Sequence, residues 1–242
     1  PGSFLKGSPN HESGRTDSGE KQHIVTITKG FYLGVVPITQ FQWHKVMGTH
    51  LKDLSGNEYF SAPGHPAYYV SWHDCQDFLA NLNKMERSAK FRLPTEAEWE
   101  YCARFTGNPA GHKYPWGDRF PPTKPSGNYG DTSAKKLLPA VIENYNDGFP
   151  ATAPPAKFKA NGLGLFDLGG NVSEWCHDFY TIYTYNSSKT GVDPTGPSQG
   201  NHRTVRGASW RHASMSKLRL AYRDYSDSKR PDLGFRIARY TN

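Results

Sequence analysis

The sequence predicts a single α+β domain with low regular secondary structure. Helix signals are strong but few, strand signals are short, and 24 Gly and 18 Pro are spread along 242 residues rather than clustered, so the backbone must turn often. A chain of this length can bury one sizeable core. Its composition is hydrophilic, yet 14 Tyr, 13 Phe and 6 Trp supply the aromatic surface that a disordered chain lacks. Residues 1–242 are therefore read as one domain.

The elements follow in order. HIVTITKGFYLGVVPIT opens with alternating apolar residues and reads as strand, punctuated by Gly30 and Gly34. A short helix is expected from about Thr39 through FQWHKVM. Ser71 then precedes an amphipathic helix with Cys75, Phe78, Leu79 and Leu82 at helical spacing, and Asp74 completes a capping box. In LPTEAEWEYCAR, Thr95 caps, Glu98 reaches back, and Trp99, Cys102 and Ala103 face inward. From about residue 105 the pattern changes to turns and aromatics: YPWGD, SGNYGD, NDGFP, NGLGLFDLGGNVSEW and DPTGP. Regular structure is expected largely to stop there. A loop region of that length needs something to hold its backbone, and bound cations would serve.

Charge and cysteines exclude several classes. The formal charge is +7, and residues 203–242 carry ten Lys or Arg against Asp224, Asp227 and Asp232. Such a basic end can meet an anionic partner, but arginines in a loop-rich fold also tie down carboxylates and carbonyls. No nucleic-acid-binding pattern accompanies it, and no nucleic-acid partner is expected. Cys75, Cys102 and Cys176 are widely spaced with no CxxC, which indicates neither a zinc site nor a disulfide framework. Cys75 and Cys102 are read as core thiols. No apolar run reaches 18 residues, so no membrane span is expected. The chain opens on Pro1, which leaves room for an upstream segment.

Asn128 and Asp147 are short, polar and set beside Gly, and Asp167 and Glu174 bracket the turn LGGNVS. Calcium takes six to eight oxygen ligands, and Gly-rich turns let carbonyls converge on one ion. By spacing alone, plain turns explain these residues as well.

Eight motifs occur in order: GSFLKGSP, GFYLGVVPITQFQW, YYVSWHDCQDF, FRLPTEAEWEYCAR, YPWGD, NGLGLFDLGGNVSEW, VRGASWR and LGFRIAR. Together they resemble the formylglycine-generating enzyme, or sulfatase-modifying factor, family over essentially the whole chain. The resemblance implies that family's single domain, related to C-type lectins. It also implies two calcium sites. The first would use side-chain oxygens of Asn128 and Asp147 with the carbonyls of Tyr129 and Phe149; the second would use Asp167 and Glu174 with the carbonyls of Gly170 and Val172. The family's enzyme has Asn where this chain has Asp167, and an anionic oxygen there should tighten the site. Calcium sites favour a periplasmic or extracellular setting.

The catalytic resemblance breaks down. The family's enzyme holds copper with two cysteine thiolates shortly after an RGGS-like motif, because soft thiolates suit Cu(I). Here RGASWRHASMSKLRLAYR, residues 206–223, contains no cysteine. Ser209 matches a serine of that active site, His212 falls where the first cysteine would lie, and Ser173 replaces the indole of the family's GNxWEW motif. Ser209 and His212 are the only catalytic candidates, copper is not expected, and neither is formylglycine formation. Arg219, Arg223 and Arg236 are read as fixing the fold. Trp210, Arg211, His212, Met215, Lys217 and Tyr222 are the candidate ligand-binding residues.

Three functions are compatible with this reading. The first is a calcium-stabilised binding module that presents residues 210–217 and 222–229 to a peptide, protein or glycan, like the cysteine-free variable proteins of diversity-generating retroelements. The second is a non-canonical oxidoreductase resembling the family's cysteine-free member needed for pyoverdine maturation. The third is a regulatory or structural domain of a longer chain. A monomer is expected.

Overall fold

The computed structural model describes residues 1–15, 18–51, 62–87, 90–105, 111–182 and 191–241. Helix α1 (Gln40–Met47), α2 (Trp72–Glu86) and α3 (Glu96–Arg104) each begin with the reciprocal cap that the sequence predicts. In α3, the Thr95 hydroxyl accepts from the Glu98 N–H at 3.1 Å, and the Glu98 carboxylate accepts from the Thr95 N–H at 2.8 Å. Two orphan donors are satisfied before the first turn closes. Helix α1 ends at Gly48, whose φ of 72° is the left-handed stop that glycine adopts without strain.

Nine short strands form three sheets among the described residues. β1 (Gly2–Lys6) pairs antiparallel with β2 (His23–Ile27), which pairs parallel with β5 (Gly191–Val192). β3 (Phe31–Leu33) pairs with β9 (Ala238–Tyr240). The largest sheet runs β7 (Arg223–Ser226), β6 (Arg203–Arg206), β4 (Ser173–Phe179), β8 (Leu233–Gly234).

The loss of regular structure expected from residue 105 holds only as far as residue 172, where a single 3-10 turn at Thr132–Ala134 interrupts the described loops. Residues 173–240 then supply six strands. They escaped pattern reading because they are short and several are covered on both faces. Ser173 to Asp178 of β4 are all buried except His177, so the apolar-polar alternation of a half-exposed strand is missing.

The core is aromatic. Trp43, Phe78 and Phe235 pack with Cys75, Trp175, Val205 and Leu233 between α1, α2 and the largest sheet. Trp99, Cys102, Cys176 and Leu220 form a second cluster. All three cysteines are buried free thiols, as read for Cys75 and Cys102, and burial pushes each thiol up, Cys102 to about 12.

Buried ion pairs join these layers. The Arg206 guanidinium is fully enclosed and donates to Glu96 Oε1 and Glu100 Oε2, each at 2.7 Å, and to the Leu220 carbonyl at 2.7 Å. Arg223 holds Glu96 through Nε at 2.6 Å and Nη2 at 3.0 Å. Arg236 clamps Glu174 at 2.7 and 2.6 Å, and Arg219 clamps Glu20 at 2.6 and 2.9 Å. The fixing role read for Arg219, Arg223 and Arg236 is thus what their geometry provides. Removing one partner of such a pair strands the other charge out of water. Arg206→Met should therefore cost about 3–5 kcal/mol in urea titration. Lys135→Met, which breaks the exposed 3.1 Å pair with Glu143, should cost less than about 1 kcal/mol. Equal losses would show that burial gives the Arg206 pairs no special weight.

Candidate functional site

The segment 206–223 leaves the end of β6 through Gly207, whose φ is 80° and where a Cβ would sit 2.9 Å from the Trp99 ring. Ser209 follows, fully buried. Its hydroxyl donates to Asp232 Oδ2 at 2.9 Å and accepts from the Arg211 N–H at 3.3 Å, while its own N–H donates to His212 Nδ1 at 3.3 Å. That bond leaves the imidazole proton on Nε2, which faces Asp232 Oδ2 at 3.8 Å. Serine, histidine and aspartate are together, but not as a nucleophile triad. The hydroxyl proton is committed to the carboxylate, the histidine has no bond to Oγ, and both lie out of solvent. Burial pushes His212 down to about 4. Burial opposes ionisation of Asp232 as well, but the charge of Arg230, 3.3 Å away, together with the Ser209 hydrogen bond and other nearby positive charge, outweighs it and holds that carboxyl low. The pair is neutral imidazole with carboxylate.

The candidate ligand-binding residues divide by exposure. Trp210 is 5 % exposed and packs with Tyr68, Leu138, Ala151 and Val172, so its indole is core and cannot be a surface anchor in this conformation. His212, at 8 %, is likewise interior, and Tyr222 is half-buried. Arg211, Met215 and Lys217 are exposed. Arg211 lies over the Trp210 ring at 5.5 Å, and the Met215 sulfur accepts from the Ser13 hydroxyl at 3.4 Å. Ser173, in place of the family's indole, is buried and donates to the Gly207 carbonyl at 2.8 Å.

A cavity of about 650 Å³ opens beside this segment and takes only Leu220 from it. Its walls come from the turn-rich middle of the chain: Trp116, Tyr129, Phe158, Asn161 and Asp167. Tyr114 and Trp116 stack at 4.7 Å, and Trp116 meets Tyr129 edge-on at 5.2 Å. Sequence reasoning missed this cavity because its walls are turns far from the basic stretch.

The first proposed oxygen set is met by its side chains. Asn128 and Tyr129 are buried beside Asp147, whose carboxylate accepts from the N–H groups of Tyr129 at 2.9 Å and Phe149 at 2.8 Å. Asn128 donates through Nδ2 to the Ala151 carbonyl at 2.7 Å, while its Oδ1 is buried with no hydrogen-bond partner. An orphaned amide oxygen beside a buried carboxylate is a donor set that suits a hard cation. Burial, with the nearby Asp131 carboxylate adding, pushes Asp147 up to about 7. Asp131, absent from the sequence reading, is fully buried and accepts from the Asp147 and Ser133 N–H groups. Its signal was legible as the cap in DTS.

The second set is different. Asp167, at φ 59°, accepts from the Ala156 N–H at 2.9 Å and is pushed up to about 6 by burial. Gly170 lies at the cavity wall and Val172 in the core. Glu174 has both oxygens engaged, by Arg236 and by the Trp99 indole N–H at 2.7 Å. Asp167 and backbone carbonyls are what this set can offer readily. Among the described residues no three His, Cys, Asp or Glu side chains cluster as a metal site, so any cation here relies on amide and carbonyl oxygens.

Comparison with known proteins now bears on this arrangement. The model of the sulfatase-modifying factor enzyme 1-like domain matches residues 1–241. The chain belongs to that family. A formylglycine-generating enzyme of Streptomyces coelicolor is 38% identical over 202 residues, covering 81% of this chain and 60% of the relative. A mouse protein named inactive C-alpha-formylglycine-generating enzyme 2 is 33% identical over 182 residues, covering 72% of this chain and 48% of its own. The chain thus spans well under two thirds of either relative. The structure of PvdO from Pseudomonas aeruginosa superposes with a TM-score of 0.76 at 24% identity, covering 99% of this chain and 92% of that one, which establishes the shared fold. The α+β single-domain reading and the family resemblance both hold.

The buried histidine makes the family segment acid-sensitive. A base whose folded pKa lies below its unfolded value binds fewer protons when folded, so stability is complete above the unfolded pKa and lost as pH falls toward the folded one. For His212 that window runs from 6.5 down to about 4. Melts across it should show a loss approaching ~1.4 kcal/mol per pH unit, and His212→Asn should flatten the slope. Identical slopes in the two proteins would rule His212 out as the source.

Proposed function

We propose that this domain is a calcium-supported binding module of the sulfatase-modifying factor family that does not generate formylglycine. The observation that carries the reading is the donor set of residues 206–223. Cu(I) chemistry of the family type needs two thiolates, and the chain's only cysteines are Cys75, Cys102 and Cys176, each buried in the core. His212 is held between Ser209 and Asp232, so a ligand role would cost it those contacts. The mouse relative's name is consistent with such a loss within the family.

The ligand is a peptide, protein or glycan, met by the exposed Arg211, Met215 and Lys217, with Trp210 beneath Arg211 as support rather than contact. Arginine is enriched among residues that dominate binding energy, and a buried indole fixes its position. Calcium at Asn128, Tyr129, Asp147 and Phe149 would neutralise the buried carboxylates and brace the loops below this edge. A second ion at Asp167, with the carbonyls of Gly170 and Val172, would do the same at the cavity wall.

Three measurements test the reading. Incubated with copper, oxygen and a CxPxR-type peptide, the protein should leave the peptide cysteine unconverted by mass spectrometry; conversion above a no-protein control would overturn it. EDTA should lower the melting temperature of the parent by more than that of Asp147→Asn, and calorimetry should detect two calcium ions bound by the parent and one by the variant. In screens on peptide and glycan arrays, Arg211→Ala should melt like the parent yet lose on the order of 2 kcal/mol, about thirtyfold, in affinity for any hit. A variant that keeps full affinity would take the recognition role away from this edge.

A further inference from the structure

A second cavity, of about 330 Å³, lies between the first turn of α3 and the chain after β4. Lys6, Glu96, Asp178 and Arg223 line it, with Phe179, Thr181, Pro194 and Thr195. All four ionisable groups are buried. Behind them, Arg206 donates to Glu96 and Glu100, and Arg104 pairs with Glu100 at 2.9 Å. The cluster thus contains three guanidiniums, Arg104, Arg206 and Arg223, and three carboxylates, Glu96, Glu100 and Asp178. Among the described residues these charges balance, and Lys6 is the cation left over.

Its contacts show the same excess. Among the described residues, the Lys6 ammonium meets one oxygen, Glu96 Oε1 at 3.3 Å. That oxygen already accepts from Arg206 at 2.7 Å and Arg223 at 2.6 Å. An ammonium has three donors, and among the described residues Glu96 is its one ion-pair partner, while the group stands at the wall of a cavity. Burying a charge without hydrogen bonds or a counter-charge is costly. Asp178 cannot supply the missing charge fully, because its Oδ2 is committed to the Glu96 N–H at 2.8 Å and burial pushes it up to about 7.

We propose that this cavity binds a small oxyanion, a carboxylate or a phosphate monoester, with the Lys6 ammonium as its main donor. The positive end of α3, at Glu96 and Ala97, faces the same space and adds to the attraction. Thr195 also lines the wall, and Phe179, Pro194 and Pro197 give an apolar side for a short carbon skeleton. The volume is near the lower end for small-molecule pockets, which suits a compact metabolite and excludes a polymer. This site is separate from the edge at Arg211 and does not depend on the function proposed for that edge.

Thermal melts of the whole chain test the proposal, with inorganic phosphate or acetate replacing chloride at constant ionic strength. In the parent, one of the two anions should raise the melting temperature saturably, by about 3–5 °C at roughly tenfold excess over its Kd. Lys6→Met should abolish the response and, having lost the surplus cation, melt no lower than the anion-free parent. Thr195→Asp, which puts a negative charge at the mouth, should abolish it too. No saturable response in the parent to either anion, or an undiminished response in Lys6→Met, overturns the site and leaves Lys6 as a buried neutral amine. Should Lys6→Met fail to fold, NMR of the anion that stabilised the parent decides: line broadening of inorganic phosphate or acetate by the parent but not by Thr195→Asp supports the site, and equal or absent broadening of both rejects it.

Discussion

The architecture depends on carboxylates of one short helix held by arginines from distant parts of the chain. Glu96 and Glu100 of α3 take Arg206 from β6, Arg223 from β7 and Arg104 from α3 itself, and Glu100 also accepts the Gly7 N–H at 2.7 Å just beyond β1. One helix face therefore fixes the first sheet against the largest one. Buried pairs of this kind do not outperform a well-packed apolar core in net stability. What they add is geometry: a guanidinium fork accepts few arrangements of its partners, so short strands that could slip are locked in register.

This also explains the basic end of the chain. Arg206, Arg219, Arg223, Arg230 and Arg236 all point into carboxylates or carbonyls, so much of the positive charge in residues 203–242 is internal structure rather than a surface for a polyanion. The alternative that arginines tie down loops was the better reading of that composition. Arg219 extends it to the N-terminal loop, where it seats Glu12 and Glu20 against the segment that ends at Arg223.

The helices were legible because their signals are local. Ser71 and Thr95 are each read with a partner three residues on, Thr39 as a helix start, and all three caps form. The ion pairs were not legible in detail, since Arg206 and Glu96 are 110 positions apart and Arg219 and Glu12 are 207; only the chain's path brings them together. Trp210 illustrates the same limit. Its position in a basic, polar stretch suggests a surface anchor, yet Tyr68, Leu138, Ala151 and Val172 arrive from elsewhere to cover it. The oxygen-rich turns lay between these extremes. Asn128, Asp147 and Asp167 stood out as polar residues beside glycine and Asp131 was legible as a cap, whereas the bridging role of Asn171 required the fold.

Asn171 shows how the loops can persist while the family's chemistry changes. It sits at φ 70°, fully buried, donating to the Ala153 carbonyl at 2.9 Å and accepting from the Ala153 N–H at 2.9 Å and from Asn128 Nδ2 at 3.2 Å. Its own carbonyl accepts from the Trp210 N–H at 2.9 Å. One side chain thus joins the turn before β4 to the 128 and 153 loops, and its backbone anchors the start of the basic segment. None of these bonds passes through Arg211, Ala213, Ser214 or Met215. The scaffold is satisfied up to Trp210 and again from Leu218 and Arg219 onward, leaving an interval whose exposed side chains can change without unpairing a buried group. The constraint that holds this fold thus lies in the arginines and asparagines around that interval rather than in its exposed side chains.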